Sequence, residues 1–385
     1  MPRYHISPEL GPMPCGAQSP ETCPLQTEHF NDYDSANHSW ETQMEQKHGF
    51  RTVGKYADFY NNVDTMEYED ILSFADESPE NYNRLEQLIN RRASLVPVMW
   101  ADVKEGNPWN PDAKFPRSPE DYKELSKKVS DFQDRTALLV EASLNSKNYS
   151  SPVEVIDPER IGIAERVESF EPNSYEWLKG RTDRIGGSDI GILAAVDFLP
   201  EEERPFYATR SLERIEKEKS EGLDDESISQ TQNDAWGRKG AMYRGTVWEG
   251  RIRDQFAKDH SELKVWEAKT QYAPDNRPWQ QVNLDGLIAP AGSDKPDGIL
   301  EIKTSAHPKD WENGVPLGYR TQVLYYLSAT GLKYAKVRVL INENDTKDFH
   351  IDADEEIQPG SGITMDKYLT ERVIPWYEGL KRGDV

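Results

Sequence analysis

Residues 298–307 read GILEIKTSAH. The apolar, β-branched run predicts a strand. Side chains alternate along a strand, so Glu301 and Lys303 share one face with only Ile302 between them. Ile299, Leu300 and Ile302 supply apolar flanks. Two opposite charges on one face can be a surface ion pair, worth about 0–1 kcal/mol and needing no special neighbours. A reactive site asks for more: a second carboxylate, a metal, and a group that holds a phosphate.

Working outward, Asp285 in NLDG sits at the end of a preceding strand, within the strand-like stretch QQVNLDGLIAP. Two carboxylates on adjacent strands can share a hard divalent cation, which prefers oxygen ligands. Lys303 adds a positive charge able to orient or activate a water. Carboxylates, lysine and a metal together can hydrolyse a phosphodiester, and a second metal can stabilise the leaving oxygen. The triplet alone is weak, because such spacings arise by chance. Asp294 and Asp297, in the segment between Asp285 and Glu301, compete as ligands.

Bulk properties bound the reading. The chain has 385 residues, 36% of them hydrophobic, with 10 Trp, 18 Tyr and 11 Phe. That is enough for a sizeable core and for one large domain with an extension, or two domains. No apolar run of about 18 residues predicts a membrane span. The N-terminus, MPRYHISPELGPMPCG, lacks an apolar leader region, which argues against secretion. Two cysteines make a disulfide framework improbable and fit a reducing cytoplasm. The net charge of −23 argues at first against nucleic acid, but it describes solubility rather than any one cleft. WGRKGAMYRGTVWEGRIR (236–253) holds Arg238, Lys239, Arg244, Arg251 and Arg253 against Glu249 alone. It is either a solvated helix face or a DNA-facing patch, with Arg244 a candidate contact.

Local signals predict the organisation. Residues 1–50, rich in Pro, Ser, Asn and Glu, read as loop or partly disordered chain. SPENYNRLEQLINRRASLV (78–96) opens with Ser78 as N-cap and Pro79 at the first helical position, and 118–144 repeats that start. Residues 146–162 look like a linker. The expected division is therefore 1–160, an acidic accessory region of unknown role, and 161–385, an α/β domain. In the second part, helices are expected at 174–181, 185–196, 238–260 and 318–331, the last ending at Gly331. A charged helix end and an acidic loop occupy 211–234. Strands are expected around 265–303, a hairpin at 335–352, and a final helix at 365–383 kinked by Pro375.

Five blocks now stand in one order: WLKGRTDRIGGSDI (177–190), the helix carrying Glu249, NLDG with Asp285, LEIKT with Glu301 and Lys303, and YRTQVLYYLSATG with Gln322. From about Tyr175 onward the chain resembles the PD-(D/E)xK nucleases, within them the lambda-type alkaline exonucleases and YqaJ-type viral recombinases. The resemblance implies a restriction-endonuclease-like core, a mixed sheet flanked by helices. It implies that Asp285, Glu301 and the Ile302 carbonyl bind Mg²⁺ or Mn²⁺, two ions in all, and that Lys303 positions the attacking water. Glu249 and Gln322 would hold the second metal's water or the substrate phosphate. Asp275 matches an accessory acidic position. Arg181 and Ser188 would grip the 5′-terminal phosphate of a DNA end. An arginine beside a Gly-Gly turn that starts a helix independently suits an anion, through fork donors, backbone N–H groups and the helix dipole.

The expected activity is Mg²⁺-dependent 5′→3′ exonuclease action on double-stranded DNA ends in a phage-type recombination system. It would release 5′-mononucleotides and leave 3′ single strands for an annealing protein, and the resemblance suggests a homotrimer. The alternatives are an endonuclease or single-strand exonuclease on the same core, or a non-catalytic module binding DNA ends or protein. Cys15, Cys23, His29 and His38 are spaced too irregularly for a zinc site. Two cysteines cannot carry a four-thiolate iron–sulfur cluster.

Overall fold

The computed structural model describes residues 3–7, 11–15, 29–30, 59, 62–110, 113, 116–156, 165–167, 174–182, 184–204, 208–222, 226, 228, 238–268 and 271–383. Cys23, His38 and most of the expected acidic loop that follows the charged helix end in 211–234, namely residues 223–225, 227 and 229–234, lie outside them. The chain divides into two compact units, Met1–Tyr149 and Ser150–Val385.

In the first unit, β1 (Arg3–Ser7), β2 (Gly11–Cys15) and β3 (His29–Phe30) form an antiparallel sheet in the order β2-β1-β3. This corrects the expectation of loop across residues 1–50. Pro12 and Pro14 hid the strand signal, and they are tolerated because β2 is an edge. Helices Tyr68–Glu77, Pro79–Glu105 and Pro119–Asn145 follow. Ser78 and Ser118 cap the two long ones, each side chain accepting a backbone N–H three residues on, from Asn81 and Asp121. The first long helix continues through Pro97 to Glu105, well past the expected end at Val96. Its buried stripe of Leu85, Leu88, Ile89 and Val96 holds it together where a proline would otherwise end it.

In the second unit, β4 (Glu154–Val155), β6 (Leu263–Glu267), β9 (Gly286–Pro290), β10 (Gly298–Ser305), β11 (Tyr334–Ile341) and β12 (Asp345–Asp352) form a six-stranded mixed sheet ordered β12-β11-β10-β9-β6-β4. β10 pairs parallel with β11 and antiparallel with β9. β4 falls inside the stretch read as a linker: Glu154 and Val155 pair with Trp266 and Glu267 and close one edge. The signal was two residues long, too short to see. A small sheet of β5 (Glu165–Val167), β7 (Gln271–Ala273) and β8 (Val282–Asn283) stands beside it.

Helices cover the sheet. Gly187–Phe198 and Leu317–Thr330 share a core with it through Ile190, Leu193, Val323, Leu324, Leu327, Ile299 and Val337. They approach closely where Gly191 faces Gly318: a Cβ on Gly191 would lie 2.6 Å from the Gly318 carbonyl oxygen. The Gly240–Asp259 helix turns Trp248, Ile252 and Phe256 inward, and the Arg338 guanidinium lies 4.8 Å from the Phe256 ring centre. Gly331, at φ 70°, ends the Leu317–Thr330 helix as expected. Pro375 follows a π turn at Leu369–Val373, which frees the backbone where a proline gives no N–H. The α/β class and the mixed central sheet flanked by helices thus hold. Among the described residues no helix is long and apolar enough to cross a membrane.

Candidate active site

The period of β10 divides its side chains: Ile299 joins the core under the Leu317–Thr330 helix, so Glu301 and Lys303 line the same face. Their pairing is no surface ion pair. The side chains of Glu301 and Lys303 are 1% and 17% exposed, and Lys303 Nζ donates to Glu301 Oε1 at 2.5 Å. Gln322 Nε2 donates to the same oxygen at 3.0 Å and to the Tyr326 hydroxyl at 2.9 Å. Glu301 Oε2 is buried with no hydrogen-bond partner.

Asp285 stands just before β9, opposite Glu301 if the pairing of Gly286 with Leu300 is extended by one residue. Ile302 donates its N–H to Asp285 Oδ2 at 2.7 Å. In a strand the N–H and C=O of one residue lie on the same side. The Ile302 carbonyl therefore also faces Asp285, beyond the last β9–β10 pair.

Glu249 reaches this corner from the Gly240–Asp259 helix. Arg253, one turn on, donates to Glu249 Oε1 at 3.0 Å, to the Asp285 carbonyl at 2.6 Å and to Glu267 Oε1 at 2.7 Å. Arg253 is 6% exposed. It is a strut of the site and not part of a DNA-facing patch, which corrects one reading of 236–253. The signal was present as an i, i+4 Glu–Arg pair. Tyr326, one turn beyond Gln322, was likewise missed. Arg244 lies half-buried on the same helix.

The electrostatics follow from crowding. Burial, and then the charge of Asp285, push the Glu301 carboxyl up to about 8. Burial and Asp285 also push Glu249 up to about 8, against the pull of Arg253. Burial raises Asp285, opposed by Lys303. Lys303 is held charged: burial works against its ammonium, but Glu301 and Asp285 outweigh it and move its pKa above the ordinary lysine value. Tyr326 is pushed up by burial and by Glu301, so its hydroxyl keeps its proton.

These donors fit a divalent cation. The orphaned Glu301 oxygen, the Asp285 carboxylate and the Ile302 carbonyl are hard ligands, and the repulsion among the carboxylates is relieved by positive charge. Among the described residues no three His, Cys, Asp or Glu side chains form a ready-made cage. Magnesium does not require one, since it commonly binds through one or two carboxylates with water and substrate phosphate completing the octahedron.

Other expected residues fall elsewhere. Asp275 lies exposed in the turn after β7 and contributes no hydrogen bond to the cluster. Asp294 pairs with Lys264, and Asp297 accepts from the Tyr334 hydroxyl, so neither competes with Asp285. Arg181 belongs to the Tyr175–Thr182 helix, but its side chain lies outside the described residues. Ser188 is exposed in the first turn of the Gly187–Phe198 helix and lines a small cavity with Tyr326, adjoining the Glu301 cluster through Gln322.

Residues 176–333 match the profile of the YqaJ-like viral recombinase domain. This segment, somewhat under half of the chain, is similar to that family. It spans Glu249, Asp285, Glu301, Lys303 and Gln322, so the family resemblance carried by the five blocks is borne out. Among solved structures, the crystal structure of an alkaline exonuclease (LHK-Exo) from Laribacter hongkongensis covers 55% of this chain and 92% of its own. Its identity is 14% and the TM-score 0.37. LHK-Exo in complex with dAMP covers 55% and 98% at 16% identity, with a TM-score of 0.34. No curated protein sequence matches the chain.

Proposed function

We propose that the YqaJ-like domain is a divalent-metal-dependent DNA exonuclease acting 5′→3′ on double-stranded ends. The observation that carries this reading is the convergence of Asp285, Glu301, Lys303 and Gln322 on one buried corner. Asp285, Glu301 and the Ile302 carbonyl would hold Mg²⁺ or Mn²⁺, and Glu249 would face a second ion. When bound, the ion supplies Lewis acidity toward the phosphodiester and the attacking water.

The chain's own groups supply the rest. The Lys303 ammonium, kept charged by its carboxylates, orients a water and faces the negative charge that develops on the phosphate. Gln322 holds Glu301 Oε1 in place, leaving Oε2 for the cation. Arg253 fixes the backbone of Asp285 and the rotamer of Glu249. Arg181 and Ser188 would take the 5′-terminal phosphate, so that hydrolysis releases 5′-mononucleotides. The 3′ strands left behind suit an annealing partner in a phage-type recombination system, and a homotrimer would encircle the product duplex.

The test is digestion of 5′-phosphorylated linear, 5′-hydroxyl linear and covalently closed circular duplex DNA with Mg²⁺. Mononucleotide release should be fastest with the first and absent with the third. Cutting of the circle would support the endonuclease alternative. Inertness of the wild-type protein on every substrate would leave only the binding-module alternative.

A further inference from the structure

The Leu317–Thr330 helix sends two side chains, one turn apart on the same side, to the Glu301–Lys303 pair. Gln322 is one, its amide donating to Glu301 Oε1 at 3.0 Å. Tyr319 is the other. The Lys303 ammonium nitrogen lies over the Tyr319 ring, 5.2 Å from its centre. Among the described residues that ammonium makes one hydrogen bond, to Glu301 Oε1. A lysine is a point charge on a flexible four-carbon stem, and a single hydrogen bond leaves much of its swing free. A ring face supplies a second anchor, because its negative quadrupole attracts a cation within about 6 Å. One helix thus holds both members of the pair, Glu301 through Gln322 and Lys303 through Tyr319.

Tyr319 is itself held. Its ring stacks on Trp311, with planes 17° apart and centres 5.5 Å apart. Trp311 is 1% exposed and packs in turn against Phe349 of β12, at 5.8 Å between ring centres. Lys347, also on β12, donates to the Trp311 carbonyl at 3.4 Å. A column of three rings therefore runs from the β12 edge of the sheet to the reactive corner. Trp311 is buried, yet Tyr319 remains 37% exposed. Core packing alone gives no reason for a ring to end the column at the surface beside a mostly buried ammonium. We propose that Tyr319 is a positioning residue for phosphodiester hydrolysis: its ring holds the Lys303 ammonium where it meets the reacting phosphate. Substrate lying over the exposed ring excludes water and strengthens the hold, since a cation–ring contact gains when desolvated. The effect falls on turnover, because the ammonium matters most as negative charge develops on the phosphate. This assignment rests on the nuclease reading and adds a residue that reading does not use.

The experiment measures kcat and KM on linear duplex DNA with Mg²⁺ for full-length wild type, Tyr319→Phe and Tyr319→Leu. Three further versions carry at position 319 a phenylalanine bearing one, two or three ring fluorines, introduced by stop-codon suppression. Tyr319→Phe keeps the ring face and should keep kcat within about twofold. Each fluorine drains the ring's negative face while keeping its shape. The value of kcat should therefore fall stepwise, to about 3–30-fold below Tyr319→Phe with three fluorines, while KM moves less than about twofold. Tyr319→Leu should fall at least as far. A ring that served only to pack on Trp311 would not give this series, because an electron-poor ring stacks on an indole at least as well. The fluorinated proteins keep the test open if Tyr319→Leu fails to fold. A flat kcat series in folded proteins, or a loss carried by KM instead, overturns the proposal and leaves the nuclease reading intact. A wild-type protein inert on every duplex overturns the nuclease reading and the proposal with it.

Discussion

The Ile302 N–H and the Asp285 carboxylate are joined by a 2.7 Å hydrogen bond across the end of the β9–β10 pairing. It engages Asp285 Oδ2, while Glu301 Oε2, on the residue before Ile302, is buried without a hydrogen-bond partner. One backbone contact thus ties Asp285 to the strand that carries Glu301 and Lys303. Asp285→Asn keeps the shape but loses the charge. It should lower Mg²⁺-dependent cleavage on the order of 10²–10³-fold or more, with a melting temperature near or above wild type at pH 8 because carboxylate repulsion is relieved.

Glu301 and Glu249, both pushed up to about 8, make the metal-free protein sensitive to pH. Between the ordinary glutamate value of 4.5 and about 8, the folded protein keeps protons that the unfolded chain has released. Its stability therefore falls as pH rises through that window and levels off above it. Mg²⁺ competes with those protons, so the stabilisation it gives should grow toward pH 8. Thermal unfolding with EDTA and with Mg²⁺ at pH 5 to 9 reads both trends, and Glu301→Gln should flatten them.

Lys303→Met removes the countercharge from a buried carboxylate. At pH 9, where Glu301 would have to remain charged, the loss should be on the order of 3–5 kcal/mol. At pH 6 Glu301 can take up a proton and the loss should be smaller. Urea unfolding at the two pH values separates this from a surface ion pair, whose removal would cost less than about 1 kcal/mol at either.

Much of this site was legible because strand alternation is strict: Glu301 and Lys303 had to share a face, and Asp285 had to come from a neighbouring segment. Ser78, Ser118 and Gly331 were legible for a similar reason, since caps act through local geometry. What escaped was set by tertiary packing. Arg253 reads as one of several basic residues until the fold turns it inward onto Glu249, Glu267 and the Asp285 carbonyl. β4 owes its place to an open sheet edge more than to its own two residues.

Gly187 packs against the two side chains that link the small cavity to Glu301. A Cβ there would lie 2.5 Å from Tyr326 Cε1 and 2.6 Å from Gln322 Cγ. Gly187→Ala should displace both. We expect roughly 1–3 kcal/mol of lost stability and a drop in kcat of about 10–100-fold from misplaced groups. Gly180→Ala, where an added Cβ meets nothing within 4 Å, is the control.

The most direct measurement is release of 5′-mononucleotides from linear duplex DNA by full-length protein at pH 8, with Mg²⁺ or with EDTA, for the wild type and Glu301→Gln. The account predicts steady release by the wild type with Mg²⁺, none with EDTA, and at most a trace from Glu301→Gln folded like the parent. Equal release by both proteins, or release unaffected by EDTA, would contradict it.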